Sequence, residues 1–297
     1  MPPSHHAALE SFSSSIALAL VLVLLSFSYA RGWRRVRAAA VSAIPVWRLV
    51  SFLLGMSLIW VALGSLLVAY DHDSLTVHMI QHLLLMTFAP ALILLGDPMH
   101  AFWHGLQQFG QNGLARLLRW PPVQTAGRTL SHPTFCWLAG TAALVGWHIP
   151  ALFTLGLQSG VWHTVEQASF LGAGFLFWWP VVQPCSGFSA KPQWSILLYL
   201  FLATLPCDIL SAFLVFSERV AYPVLSSSLK SGLSVLEDQQ CAGASMWTCV
   251  TLVYLVPAAI LTMRLLSPQT SRGGEELPAE SRRSAVSQRS PQSVEFV

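Results

Sequence analysis

The sequence predicts an all-α fold: a polytopic membrane bundle of seven transmembrane helices, N-terminus outside and C-terminus cytoplasmic. Three observations predict it. Hydrophobic residues make up 54% of the 297, charged residues only 10%, and the mean hydropathy is +0.57; a soluble chain averages about 25% charged. Apolar runs of membrane-spanning length recur along most of the chain, and about 20 residues of helix cross about 30 Å of hydrocarbon. The Lys and Arg residues gather on alternate connections between those runs, which is the pattern of cytoplasmic loops. The runs are too long and too continuous for barrel strands, and helices satisfy their own backbone in lipid.

The spans are expected at about 12–30, 47–69, 76–96, 133–150, 162–183, 193–216 and 240–263, forming one domain over 1–266. The first is followed by Arg31-Gly-Trp-Arg-Arg-Val-Arg37, so its positive charges come after the apolar run. That order and the lack of a small-x-small site argue for a retained helix over a cleaved signal peptide. Arg48 starts the second span; Arg116, Arg119 and Arg128 follow the third; Lys191 follows the fifth; Arg264 ends the seventh. With the N-terminus outside, all of the 16 basic residues except Arg219 and Lys230 are cytoplasmic. Pro90 removes the hydrogen bond to the Met86 carbonyl and predicts a kink in the third span, as Pro206 and Pro257 do in the sixth and seventh. The segment 267–297 is rich in Ser, Arg, Glu and Pro; it has too little apolar surface to fold alone and is expected to be a disordered cytoplasmic tail.

Composition also excludes function classes. No basic stripe interleaved with aromatics supports nucleic-acid binding. The cysteines (Cys136, Cys185, Cys207, Cys241, Cys249) show neither C-x-x-C nor C-x-C spacing and read as small buried hydrophobes, with no disulfide framework or thiolate zinc cluster. No nucleophile, base and oxyanion group can be grouped from sequence, so no enzyme is expected. The His-x-x-x-His pattern has Met79 where a metalloprotease needs Glu.

The chemistry concentrates on histidine. His78 and His82 lie one helical turn apart in Leu75-Thr-Val-His-Met-Ile-Gln-His-Leu-Leu-Leu-Met86, so both rings project from one face, and Met86 continues the stripe. Imidazoles in a membrane helix are costly and call for a partner or a task. His148 and His163 flank the short connection between the fourth and fifth spans, and the topology sets all four near the outer surface. Imidazole suits copper, zinc and iron, and a Met thioether favours Cu(I). His78, His82, His148, His163 and Met86 are therefore the candidate metal ligands. Glu166, Asp238 and the deeper Asp208 are candidates to accept from those imidazoles and fix their tautomers. Alternatives stay open at this level: histidines that only pack, Met86 as core, Asp208 bonding a carbonyl freed by Pro206. The segment from Met99 to His104 reads as an interfacial helix.

In order along the chain, His78-Met-Ile-Gln-His82-Leu-Leu-Leu-Met86, Pro90, Leu95-Gly-Asp-Pro98, Trp147-His148-Ile-Pro150, His163-Thr-Val-Glu166, Phe177-Trp-Trp-Pro180, Asp238-Gln-Gln240 and Met246-Trp247 resemble the CtaG family of cytochrome c oxidase assembly factors, over about 45–265. The resemblance implies a seven-span, multi-pass protein of the bacterial inner (plasma) membrane, serving the respiratory chain through maturation of aa-type oxidases and handling copper. Its implied partners are cytochrome c oxidase subunits, the lipid bilayer and a periplasmic copper chaperone. Two positions depart from the family pattern: Gln167 stands where His commonly follows Glu166, and Ala242-Gly243 replaces a glycine pair. Two other functions compete: a haem-binding electron-transfer protein using His82 and His163, and a proton or solute transporter using Asp208 and Glu166.

Overall fold

The computed structural model describes residues 5–39, 44–65, 67–70, 73–105, 113, 115–182, 194–222 and 233–267. Every regular element among them is helical, with no strand. In chain order these are α1 (His5–Ala39), α2 (Val46–Gly64), α3 (Leu67–Tyr70), α4 (Leu75–Leu83), a π-helical turn (Leu84–Phe88), α5 (Ala89–Leu95), α6 (Pro98–Gly105), α7 (Pro121–Leu130), α8 (Pro133–Trp147), α9 (Pro150–Gln158), α10 (Gly160–Val182), α11 (Trp194–Phe216) and α12 (Val235–Leu266). The chain divides into a unit Met1–Leu261 and a unit Thr262–Val297. The tail expected to be disordered lies outside the described residues beyond Ser267, as do His72, Lys191 and Lys230.

Five helical segments are long and apolar enough to cross a membrane: Ser15–Ala38, Val46–Gly64, Leu75–Leu95, Trp194–Phe216 and Val235–Leu266. The pair α8 and α9, bent by 75° between them, makes a sixth if the two are read as one broken span. α10, where a span was expected, is 23 residues long, but His163, Glu166 and Gln167 lower its hydropathy. Large apolar side chains such as Leu24, Phe27, Ile209, Phe213 and Leu255 stand exposed on α1, α11 and α12, as lipid-facing surfaces require.

Proline chemistry explains the departures from the expected spans. The expected span 133–150 and the short connection after it are in fact two helices with a break at His148-Ile149. Pro150 excludes the preceding residue from the helical region, and Ile149 is extended (φ −67°, ψ 124°). Pro150 then opens α9, where its missing N–H costs nothing. Pro90 acts differently. Instead of breaking the third span it is absorbed by the π-helical turn just before it, in which the Ala89 N–H donates to the Leu84 carbonyl, and the span runs unbroken over Leu75–Leu95. Pro206 and Pro257 likewise lie inside continuous helices.

Glycines set the helix spacing that positions the site. A β-carbon on Gly174 of α10 would collide with the Met86 carbonyl and lie 2.8 Å from Cγ of Pro90, so α10 crosses the third span where Pro90 has removed a donor. Gly55 of α2 meets Ile93 and the Ala89 carbonyl in the same way. Such small-residue crossings are how helices associate when lipid is as apolar as the interface. At the other end of the third span, Tyr29 stacks on Phe52 (3.8 Å between centroids) and donates to the Gly96 carbonyl at 2.6 Å. Asp97 turns the chain with φ 51°, and its carboxylate accepts from Arg48 at 2.7 Å. α6 covers the segment read as an interfacial helix.

Candidate metal centre

The site is built on the first turns of α4. Ser74 caps that helix, and Asp238, from the first turn of α12, holds it in place. Its Oδ2 accepts from the Leu75 N–H at 2.6 Å, its Oδ1 from the Ser74 hydroxyl at 2.8 Å and the Thr76 N–H at 3.3 Å, and its carbonyl from the Thr76 hydroxyl at 3.0 Å. A buried carboxylate at a helix N-terminus satisfies orphan N–H groups and complements the helix dipole. The anchor fixes the backbone one turn before His78.

His78, His82 and Glu166 are all buried, His78 and Glu166 to 1% exposure. The i, i+4 spacing turns the two Nε2 atoms toward each other, 2.8 Å apart. Glu166 reaches across from α10, its Oε1 3.1 Å from His82 Nε2 and 3.5 Å from His78 Nε2. Among the described residues these three form the one group of His, Cys, Asp and Glu whose ligand atoms lie within 4.8 Å of one another. The separations give a common centre about 1.8 Å from each atom, and a shift out of their plane of less than about 1 Å reaches the 2.0–2.1 Å of imidazole–metal bonds. Protons alone satisfy the group poorly. Two neutral imidazoles facing each other share at most one hydrogen bond through Nε2; Nδ1 of both rings and Oε2 of Glu166, which an ion at this centre would not touch, are also buried without a hydrogen-bond partner. A cation at the centre engages all three facing lone pairs. The donor set, two imidazoles and a carboxylate, fits a borderline divalent ion such as Cu(II) or Zn(II).

Aromatic rings box the group. Phe170 stacks on His82 (4.2 Å), Phe153 of α9 stands edge-on to His78 (5.2 Å), and His163 lies parallel to His78 (5.9 Å). Gly156 of α9 lies against Glu166; a β-carbon there would sit 2.6 Å from Oε2. Trp147 donates to Ser169, which donates to the Glu166 carbonyl, both at 2.7 Å, tying α8 to α10 beside the carboxylate.

The remaining candidates take other places. Nε2 of His163 is engaged by the Gln167 amide at 3.2 Å, so the residue that departs from the family pattern occupies this ring nitrogen. His148 donates from Nδ1 to the Leu144 carbonyl at 2.6 Å and lies against Met79 instead of joining the three-atom group. Met86 lines a cavity with His82 and His148. Asp208 is half-buried on α11 and makes no hydrogen bond or ion pair among the described residues. Asp238, expected beside an imidazole, bonds the start of α4 instead, and Glu166, expected behind the ligands, touches both imidazoles directly.

The sequence motifs, their order and this buried cluster converge with a family match: the family model described as cytochrome c oxidase caa3 assembly factor (Caa3_CtaG) covers residues 27–267. The chain belongs to the Caa3_CtaG family. Curated relatives of this family member include Mb0105, an uncharacterized protein of Mycobacterium bovis, 27% identical over 245 residues, or 80% of this chain and 37% of the relative. ML1998 of Mycobacterium leprae, also uncharacterized, is 27% identical over 240 residues, 78% of this chain and 36% of the relative. The chain thus matches little more than a third of the length of these relatives. No solved structure matches it.

Sequence reasoning missed several residues that shape the site. Gly156, Phe153 and Ser169 carry no one-dimensional signal, since their role arises from contact across helices. Tyr222, whose hydroxyl donates to the His148 carbonyl at 2.8 Å, sits in a connection. Met79 entered the sequence reading only as the residue that departs from a metalloprotease pattern, and its spacing does not mark it as a partner for the distant His148.

Proposed function

We propose that this membrane protein, a member of a cytochrome c oxidase assembly family, carries copper to its client oxidase on a site made by His78, His82 and Glu166. The observation that carries this reading is the convergence of three buried ligand atoms from α4 and α10, 2.8–3.5 Å apart, on one centre. Copper is the substrate handed on, and the protein's part is to bind it in a dry, shaped pocket and release it.

In this reading the bundle crosses the bacterial inner membrane seven times, with α10 as the additional span, the N-terminus outside and the C-terminus in the cytoplasm. The side distribution of Lys and Arg supports that orientation. The His-rich end then faces the periplasm, where a copper chaperone can deliver the ion and an aa-type oxidase subunit receive it. His163 and His148 stand beside the site as candidates for transient contact during transfer.

The haem alternative fits less well. The cavity beside His82 measures about 40 Å³, far below the roughly 300 Å³ at which small-molecule pockets begin, and His163 Nε2 is already engaged. A transporter relay through Asp208 lacks a polar chain from that residue to Glu166 among the described residues.

Metal analysis of the purified protein tests the proposal, with His78→Ala and His82→Ala alongside. The expected result is about one Cu(II) per chain under aerobic loading, lost in both variants. No copper above background in the unaltered protein overturns the metal site. Cells lacking the protein should assemble an oxidase short of copper; a fully loaded oxidase in such cells overturns the carrier role.

A further inference from the structure

Beside the first site lies a partly open cavity of about 40 Å³ whose lining includes Met79, Met86, Met246 and Cys207 together with His82 and His148. This volume has room for a small ion or a few waters. Its polar feature is a pair: Nε2 of His148 lies 3.3 Å from Sδ of Met79. The tautomer of His148 follows from its other nitrogen. Nδ1 is 2.6 Å from the Leu144 carbonyl oxygen, which can only accept, so the single N–H of the neutral ring is assigned to Nδ1. Nε2 therefore presents a bare lone pair to a thioether that also has only lone pairs to offer. Both residues are buried, at 7% and 2% exposure, and Tyr222 holds His148 from the far side by donating to its carbonyl at 2.8 Å.

We propose that His148 Nε2 and Met79 Sδ form a second metal site, specific for a soft monovalent cation of the Cu(I) class, within this sulfur-lined cavity. Two facing lone-pair donors become a chelate when a cation enters between them. Bond lengths of about 2.0–2.1 Å to imidazole nitrogen and about 2.3 Å to sulfur place the 3.3 Å pair at a ligand–metal–ligand angle of about 100°, closer to tetrahedral than to linear coordination, so further donors complete the site. Met86, Met246 or Cys207 can add a further sulfur from the wall. Thioether and imidazole select Cu(I), whereas the neighbouring His78–His82–Glu166 set has harder donors. Met79 adjoins His78 in sequence and His82 borders both places, so α4 presents two sites of different softness side by side. The second site does not require the first to be correct.

The test is anaerobic titration of the full chain in detergent with Ag(I), a redox-inert stand-in for Cu(I), in a background of C136S, C185S, C241S and C249S that removes every thiol outside the cavity. X-ray absorption of the silver-loaded protein reports the donor atoms. The expected result is a tightly bound Ag(I) with both nitrogen and sulfur neighbours. Met79→Leu, which conserves volume, should weaken it at least tenfold and diminish the sulfur signal. Glu166→Gln, which disables the first site, should leave Ag(I) affinity within about threefold. Silver bound without sulfur in the unaltered cavity, equal affinity in Met79→Leu, or loss of Ag(I) binding in Glu166→Gln each overturns the second site. Loss of Cu(II) from Glu166→Gln with Ag(I) retained separates the two sites; absence of Cu(II) binding with Ag(I) retained sinks only the first.

Discussion

The backbone of Gly156 presses against the carboxylate of Glu166, leaving no room for a β-carbon: one built there would stand 2.6 Å from Oε2. The obstructing atom is the end of a side chain and not backbone, so it can yield. When it does, Oε1 swings away from His78 and His82. Gly156→Ala should therefore weaken metal binding at least tenfold while lowering the melting temperature by only a few degrees. Competition titration against a chelator, with a thermal melt of the same sample, checks both. Unchanged metal affinity would mean that Glu166 is not a ligand.

Gly174 poses the opposite case. Its missing β-carbon faces the Met86 backbone carbonyl and the Pro90 ring, neither of which can rotate aside. Gly174→Ala must push α10 off the third span and should cost about 1–3 kcal/mol, as overpacking does. Gly172, on the same helix, has open space within 4 Å, and Gly172→Ala should leave stability unchanged or raise it. Thermal unfolding of the pair in one detergent checks the contrast; equal effects would refute the close crossing.

Replacing Glu166 by Gln removes the carboxylate that lies 3.1 and 3.5 Å from the two Nε2 atoms while keeping the side chain's shape. Copper affinity should fall tenfold or more. In the unaltered protein, affinity should also fall as pH is lowered, because protons compete with the ion for both imidazoles and the carboxylate. Binding isotherms at several pH values check this, and a pH-independent affinity would count against imidazole ligation.

Asp238 tests the support of the site. Asp238→Ala leaves the Leu75 and Thr76 N–H groups and the Ser74 hydroxyl without their acceptor, and each buried orphan costs about 1–3 kcal/mol. A large loss of stability is expected, with copper affinity falling as α4 loosens. Asp238→Asn keeps one acceptor oxygen and should fall between the alanine variant and the unaltered protein. If Asp238→Ala melts like the unaltered protein, the clamp carries no weight.

Much of the fold was legible because it is local. Apolar runs of about 20 residues specify helices in lipid whatever surrounds them, and α1, α2, α11 and α12 overlap the apolar runs at about 12–30, 47–69, 193–216 and 240–263, although α1 continues through Arg31–Arg37. The i, i+4 spacing brought His78 and His82 together within one helix. Proline was legible in position but not in consequence: Pro90 and Pro150 share one chemistry. Yet the first follows a π-helical turn inside a continuous span, and the second opens a new helix after an extended Ile149, at 75° to the one before.

The sequence by itself determined the helices, their apolar faces and the pairing of two imidazoles, since each depends on residues within a turn or two. Only the tertiary structure decided that Glu166 touches those imidazoles, that Asp238 clamps α4, and that His148 meets Met79. Those contacts join residues 69 to 164 positions apart, and their register is set by helix crossings at Gly55, Gly156 and Gly174. How closely two helices approach depends on what is absent from both surfaces at one point, and no single segment of sequence contains that information.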